Sequence, residues 1–546
     1  MKEEDKILVI FGAGADKGLG LPTTQDIENI FKQLCGFENG KINKFIPLKE
    51  RLRRALKDYF GDYEKGSKFY SIYENLELTL RILFDGNGAR SVSDSIKDQR
   101  AAVDSYLKFY DAQMSDLDDQ DGLHRNRKNL EEYISDLVYE YDWKSLKSLV
   151  YFLYKDQPAT FKLIDFLGIL YDTKQYGLSL PLQEYFDESN ETNYPDIDSV
   201  FRAYNLIIYK IFKGIYSNSK LNSDIFPYYD FISKAIKKYK SKIEFASFNW
   251  NPFLVFLTYR VNYKLNHENK GNDELYYVDH STFINIYNMT DKTVMPAFTE
   301  NINDFAKKIC SFSTVNKVQT IKFFITHGLF NLRVCPKCSS IFMIYPKRQR
   351  DLKMPDDLYD LFLVDLLPLE MDFERYKKYP ILKDTLEKSG KLDEIFCPFC
   401  NASTTFKDTV LDIQIMFKNE TNYFIKKTLF DFAAIFGNAK HVIVLGYSFP
   451  DDDVKEMFVL KAFKNIKDKK SDIKQKLSFV LYDKNFADKK WFSVKEINSL
   501  KINESAKKSV NNAKKLFLEE NMRVSFRGVP KIFLSESNDD LLEFNE

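Results

Sequence analysis

Apolar residues run unbroken from Ile7 to Phe11 and stop at Gly12-Ala13-Gly14. A run of that length with no polar alternation predicts a strand buried on both faces of a parallel sheet. The turn after it ends at Gly20-Leu21-Pro22, and Thr24 or Asp26 is placed to cap a helix reaching about Cys35. Strand, glycine turn and helix form the opening of a nucleotide-binding α/β unit. From residue 59 to 240 the period changes. Segments such as 70–83, 128–153 and 200–215 place apolar residues three and four apart with charges between them, the pattern of packed helices. Short apolar runs return at 243–248, 321–326, 441–445 and 478–482, with helical patterns between most of them. The expected fold is therefore α/β, a doubly wound parallel sheet with a large helical insertion. Its expected parts are a first core segment at 1–58 and the mainly helical insertion at 59–240. A second core segment at 241–330, a cysteine module at 331–405 and the C-terminal part of the core at 406–546 complete it.

Composition narrows the class further. The 80 Lys and Arg nearly balance the 79 Asp and Glu, for a net charge of +1, which removes the strongest prior for a nucleic-acid binder. The Lys-rich stretch 464–476 then reads as a solvated face. No apolar stretch approaches the roughly 18 residues of a membrane span. The opening MKEEDKILVIFGAG lacks the character of a signal peptide. A cytoplasmic protein is expected. Six cysteines in 546 residues are too few for a disulfide scaffold.

Four of those cysteines form Cys335-Pro-Lys-Cys338 and Cys397-Pro-Phe-Cys400. Four thiolates from two such turns satisfy tetrahedral zinc at ~2.3 Å, and a closed four-sulfur shell is structural rather than catalytic. Unliganded or redox cysteines are the alternative; Cys35 and Cys310 read as ordinary buried thiols. The glycine turn has the spacing G-x-G-x-x-x-G rather than the G-x-G-x-x-G of dehydrogenases, and no Lys-Ser/Thr pair follows to make a Walker loop. Glycine at 12 and 14 would let backbone approach a ligand, with a helix N-terminus favouring phosphate. Asn249-Trp250-Asn251 and His327-Gly328 stand at the ends of two predicted strands, where ligands of doubly wound sheets bind. A histidine there also suits simple structural capping. Gly446-Tyr447-Ser448 leaves the next strand as a turn able to hold phosphate or ribose; Phe449-Pro450 excludes the G-x-S-x-G nucleophile elbow.

Taken in order, these signals resemble the sirtuins, NAD-consuming enzymes with a Rossmann-like domain and a zinc module. Gly12-Ala13-Gly14-Ala15-Asp16, followed by Gly20-Leu21-Pro22, matches the family's glycine loop except that Asp16 stands where a serine is usual. Asn249, His327-Gly328 ahead of Cys335, Gly446-x-Ser448 and Asp483-Lys484-Asn485 match further family segments. Thr23-Thr24-Gln25 replaces Asp-Phe-Arg, and Asn251 replaces an aspartate. Those departures resemble the divergent bacterial sirtuin-like proteins of antiviral defence, which cleave NAD.

The resemblance implies Asn249 and His327 as catalytic residues. It implies NAD+ contacts from Gly12, Ala13, Gly14, Asp16, Gly20, Pro22, Asn251, Gly446, Ser448, Asp483 and Asn485. It also implies structural Zn2+ on Cys335, Cys338, Cys397 and Cys400. The implied activity is NAD+ glycohydrolysis to ADP-ribose and nicotinamide, by the gated effector of an anti-phage, abortive-infection system. An NAD-dependent protein deacylase and a non-catalytic NAD or ADP-ribose sensor are the alternatives. The stretch after Asn485 is shorter than a fused sensor domain needs. The expected partners are therefore further copies of the chain and a HerA-type ATPase or other defence protein, with no membrane and no nucleic acid directly implied.

Overall fold

The apolar run at the start of the chain is an interior strand of the main sheet. In the computed structural model the described residues are 6–38, 41–42, 46–60, 142–154, parts of 163–170, 197–216, 225–250, 252–268, 274–279, 285–288, 293–296, 317–345, 395–404, 409–411, 423–450, 453–468, 474–486, 491–534 and 538–544. Among the described residues eight strands form the main sheet: β1 (Ile7–Phe11), β2 (Ile243–Ser247), β3 (Glu274–Asp279), β4 (Lys317–Ile325), β5 (His441–Leu445), β6 (Lys476–Val480), β7 (Phe492–Ser493) and β8 (Met522–Ser525). Their order is β7-β8-β6-β5-β1-β2-β4-β3. Every pairing is parallel except that of β7 on β8.

All five residues of β1 are buried because helices cover both faces of the sheet. Ile7, Val9 and Phe11 face a core shared with helices Thr24–Leu34, Ile197–Tyr216, Phe226–Tyr239 and Phe253–Glu268. Leu8 and Ile10 face another, shared with helices Tyr423–Asn438, Val454–Asp468 and Glu504–Lys514. Each fully buried aliphatic or aromatic side chain contributes about 1.5–3 kcal/mol, so a strand apolar on both faces is favoured only in this central place. The described part of 59–240 is helical at Trp143–Tyr154, Ile197–Tyr216 and Phe226–Tyr239. The helical segment expected at 70–83, and most of that at 128–153, lie outside the described residues. Among the described residues no helix is long and apolar enough to cross a membrane.

Three expectations change in detail. Thr23, not Thr24 or Asp26, caps the helix Thr24–Leu34: its hydroxyl accepts from Asp26 N at 3.3 Å and the Asp26 carboxylate accepts from Thr23 N at 2.9 Å, a closed capping box. β4 starts at Lys317, ahead of the expected 321, because its first six residues pair with the edge strand β3. Among the described residues there is also a second, five-stranded sheet, with strands Thr409–Leu411, Gly328–Val334, Ile341–Tyr345, Asn285–Asn288 and Thr293–Pro296 as successive neighbours.

Candidate functional site

Register places the chemistry. Phe11 pairs with Leu445 on one side and Ser247 on the other; Leu445 pairs with Val480, and Ser247 with Ile325. The last residues of five adjacent strands are therefore level. Just beyond them, in sheet order β6, β5, β1, β2, β4, come Asp483, Gly446, Gly12, Asn249 and His327. From β1 the chain first builds toward β2, β4 and β3, and later toward β5, β6 and β8. The β1/β5 boundary is thus a topological switch point, where two loops diverge and leave a crevice.

At that boundary the glycines serve loop against loop. Gly12 N donates to Leu445 O and Gly14 N to Gly446 O, both at 2.9 Å. A Cβ on Gly446 would stand 2.1 Å from Ala15 N, and its φ of +65° lies in the left-handed region; a Cβ on Gly12 would stand 2.4 Å from the Tyr447 Cα. No larger residue fits either place. The expected use of Gly12, close approach to a ligand, is thus joined by close approach to the second loop. Ala13 and Gly14 are half-buried, Gly20 is exposed and Pro22 is buried. The helix Phe226–Tyr239 supports this loop: its buried Tyr228 hydroxyl donates to Ala15 O.

Asp16 and Asn249 come together. Both are buried, and Asn249 Nδ2 donates to Asp16 Oδ2 at 2.7 Å. Asn249 N also donates to Ser247 Oγ at 3.2 Å, fixing the turn after β2. Asn251 lies outside the described residues.

His327 is fully buried, at 0 % exposure. Neither ring nitrogen makes a hydrogen bond among the described residues. Phe248 meets the ring edge-on at 5.1 Å and stacks on Tyr447 at 4.4 Å, so one phenyl ties together the ends of β2, β4 and β5. Two acids missed in the sequence complete the surroundings. Glu456 Oε1 stands 3.7 Å from His327 Nε2, and Asp453 accepts the Tyr447 hydroxyl. Asp453 immediately precedes the helix Val454–Asp468, whose first turn carries Glu456. A step of three at a helix start puts both acids on one face, the signal that could have found them.

The remaining residues differ in placement. Ser448 and Asn485 are exposed. Asp483 is buried and organises its own loop: one oxygen accepts from Asn485 N at 3.0 Å, the other from Asn503 N at 2.7 Å and Asn503 Nδ2 at 2.9 Å.

Cys335, Cys338, Cys397 and Cys400 converge, with all four sulfurs within 4.8 Å of one another. Cys335 and Cys400 are 3.4 Å apart and Cys338 and Cys397 3.5 Å. A tetrahedron with ~2.3 Å metal–sulfur bonds has edges of about 3.8 Å, so the set fits one ion. The two turns repeat each other. Ser339 N donates to Cys335 O and Asn401 N to Cys397 O, each at 2.9 Å; Ser339 and Asn401 both take positive φ. In the first turn Lys337 N and Cys338 N also point at Cys335 Sγ, each at 3.4 Å. Ser340, hydrogen-bonded to the Cys338 sulfur, pulls that thiol down to about 6, whereas burial pushes Cys397 up to about 12. Burial likewise pushes the Cys35 thiol up to about 12, consistent with an inert core residue. Cys310 lies outside the described residues.

No protein-family model matches the chain, and no curated protein matches it.

Proposed function

We propose that the carboxyl edge of the main sheet binds NAD+ and hydrolyses the bond between nicotinamide and ribose. One observation carries the reading: five sequence segments that resemble sirtuin motifs fall beyond five adjacent, level strand ends, across the switch point. In this reading the sheet is Rossmann-like and the dinucleotide lies along that row, its pyrophosphate at the Gly12–Gly14 turn. A carboxylate only accepts hydrogen bonds. Asp16 therefore holds the Asn249 amide with Nδ2 toward itself, leaving Oδ1 to accept from a ribose hydroxyl or from the attacking water. His327 takes a proton from that water as general base. The water oxygen bonds to the anomeric carbon, and the electron pair of the broken C–N bond leaves with nicotinamide, which departs neutral. Charge develops at the ribose, where fixed dipoles beside the reacting carbon lower the barrier.

The four cysteines would hold structural Zn2+, joining two chain segments far apart in sequence. Elemental analysis of purified chain should return one zinc per chain, lost in Cys397→Ser; a metal-free, folded chain would remove the ion from this account. A cell must restrain such an NAD+ hydrolase, which favours a gated effector; its action against phage, as a homo-oligomer with a HerA-type ATPase, rests on the sirtuin resemblance.

The test is incubation with NAD+, with and without the candidate ATPase, following nicotinamide and ADP-ribose by chromatography. Stoichiometric release of both is expected. Nicotinamide release only with an added acyl-lysine peptide would transfer the site to deacylation. Binding of NAD+ without turnover under every condition would transfer it to sensing.

A further inference from the structure

We propose that Glu456 is the positioning residue of His327, accepting a hydrogen bond from Nε2–H and so leaving the Nδ1 lone pair as the base. The inference rests on the hydrolase reading for its catalytic consequence, but the pairing stands on geometry. His327 and Glu456 are buried at 0 % and 2 % exposure, and their nearest polar atoms, Nε2 and Oε1, are 3.7 Å apart. A neutral imidazole has one donor and one acceptor nitrogen, and the partner of one decides the role of the other. A carboxylate, which only accepts, selects the tautomer with hydrogen on the nitrogen that faces it. Catalytic hydrogen bonds are often long in the ligand-free state and tighten in the reactive complex, so 3.7 Å is within range of closure by a small side-chain rotation.

The surroundings of the ring point the same way. Phe248 takes its edge-on flank at 5.1 Å and offers no acceptor. Asp453, the other nearby acid, accepts the Tyr447 hydroxyl. Asp453 and Glu456 share this spot with the ring, and the Tyr447 hydroxyl is bonded to Asp453. The role given to Asp453 is to hold the Gly446–Phe449 loop against the helix that carries Glu456. That loop is held tightly: Phe449 has a φ of +49°, unusual for a bulky residue, and its carbonyl accepts from Asn512 Nδ2 at 2.8 Å. When His327 takes the proton of the attacking water at Nδ1, Glu456 becomes the counter-charge of the imidazolium formed, as the buried aspartate does in a Ser-His-Asp triad.

The competing use of the same three side chains is a divalent cation, since their ligand atoms lie within 4.8 Å of one another. The experiment separates the two. Full-length chain labelled with ¹⁵N-histidine carries five histidines; His327→Gln identifies the signal of His327. Long-range ¹H–¹⁵N spectra should show His327 as the Nε2–H tautomer in the parent chain. In Glu456→Gln, whose amide both donates and accepts, the signal should become a mixture of tautomers. Glu456→Asp, which keeps an acceptor, should return the single pattern and guards against a Glu456→Gln that fails to fold. In NAD+ hydrolysis, Glu456→Gln should lower kcat by roughly 10- to 100-fold, part of the 10²–10⁴ a general base supplies, with KM within about twofold. Glu456→Asp should recover part of that loss.

An unchanged His327 signal in folded Glu456→Gln overturns the pairing. So does a second bound metal, beyond that of the four cysteines, that disappears in the same variant. If no variant hydrolyses NAD+ yet the tautomer responds as described, the pairing holds and the hydrolase reading alone fails.

Discussion

Two buried histidines stand at opposite edges of the main sheet. His441 opens β5 at the amino edge and His327 follows β4 at the carboxyl edge. Their exposures, 6 % and 0 %, are nearly the same, yet their surroundings are not. His441 Nε2 lies 2.8 Å from Ser478 Oγ and Nδ1 3.2 Å from Leu542 O. Burial, then the charge of Arg523, pushes its pKa down to about 3, so it is a neutral, fully bonded part of the core. His327 is buried as deeply with neither nitrogen hydrogen-bonded among the described residues. Leaving a buried polar group without a hydrogen bond costs about 1–3 kcal/mol, and proteins keep such costs where the group has work to do. Burial says little about a histidine's role; the bonding of its two nitrogens says much more.

The largest effect should come from His327→Ala. It should reduce nicotinamide release from NAD+ by at least about 10²-fold while thermal unfolding stays close to that of the parent chain; Asn249→Ala should lose turnover alike but also lower stability, because it takes the Nδ2 donor from the buried Asp16 carboxylate. A His327→Ala chain that loses stability but keeps turnover would break the contrast. His441→Ala should do the reverse. Removing two buried hydrogen bonds and leaving a void should lower unfolding free energy by about 2–4 kcal/mol, measured by urea titration, with NAD+ turnover at 25 °C retained in the folded fraction.

The last effect is in pH. The unfolded chain protonates His441 near 6.5, whereas the folded chain does so only near 3. Between those values the unfolded state binds more protons, so this residue makes stability fall as pH drops from 6.5 toward 3. The slope is at most about 1.4 kcal/mol per pH unit. Urea titrations across that window should show a shallower fall in His441→Gln than in the parent chain. Equal slopes would remove the assigned cause.

The strands at the centre were the most legible. β1 and β5 coincide with the apolar runs at 7–11 and 441–445, because a strand buried on both faces needs an unbroken apolar run. Edge strands gave weaker signals. β3 pairs on one side only and mixes Glu274, Tyr276 and Asp279 into its apolar set, so it offers neither a clean run nor alternation. The second sheet was missed for another reason. Asn285–Asn288 pairs with Ile341–Tyr345, and Gly328–Val334 with Thr409–Leu411, across long stretches of chain that no local pattern spans. Asp453 and Glu456 were passed over because acids at a helix start are ordinary capping and dipole residues. Only their convergence on His327 sets them apart.

The sequence by itself determined the central strands, the glycine turn after the first of them, and the two C-x-x-C turns. Each is a local matter: apolar length, backbone freedom and ligand spacing are all written within a few consecutive residues. The tertiary structure alone decided that five strand ends are level and adjacent, that Asp16 holds Asn249, and that His327 faces Glu456 while His441 is bonded at both nitrogens. Those relations depend on register and on contacts between segments from dozens to hundreds of residues apart, which packing sets and neighbouring residues in the chain do not.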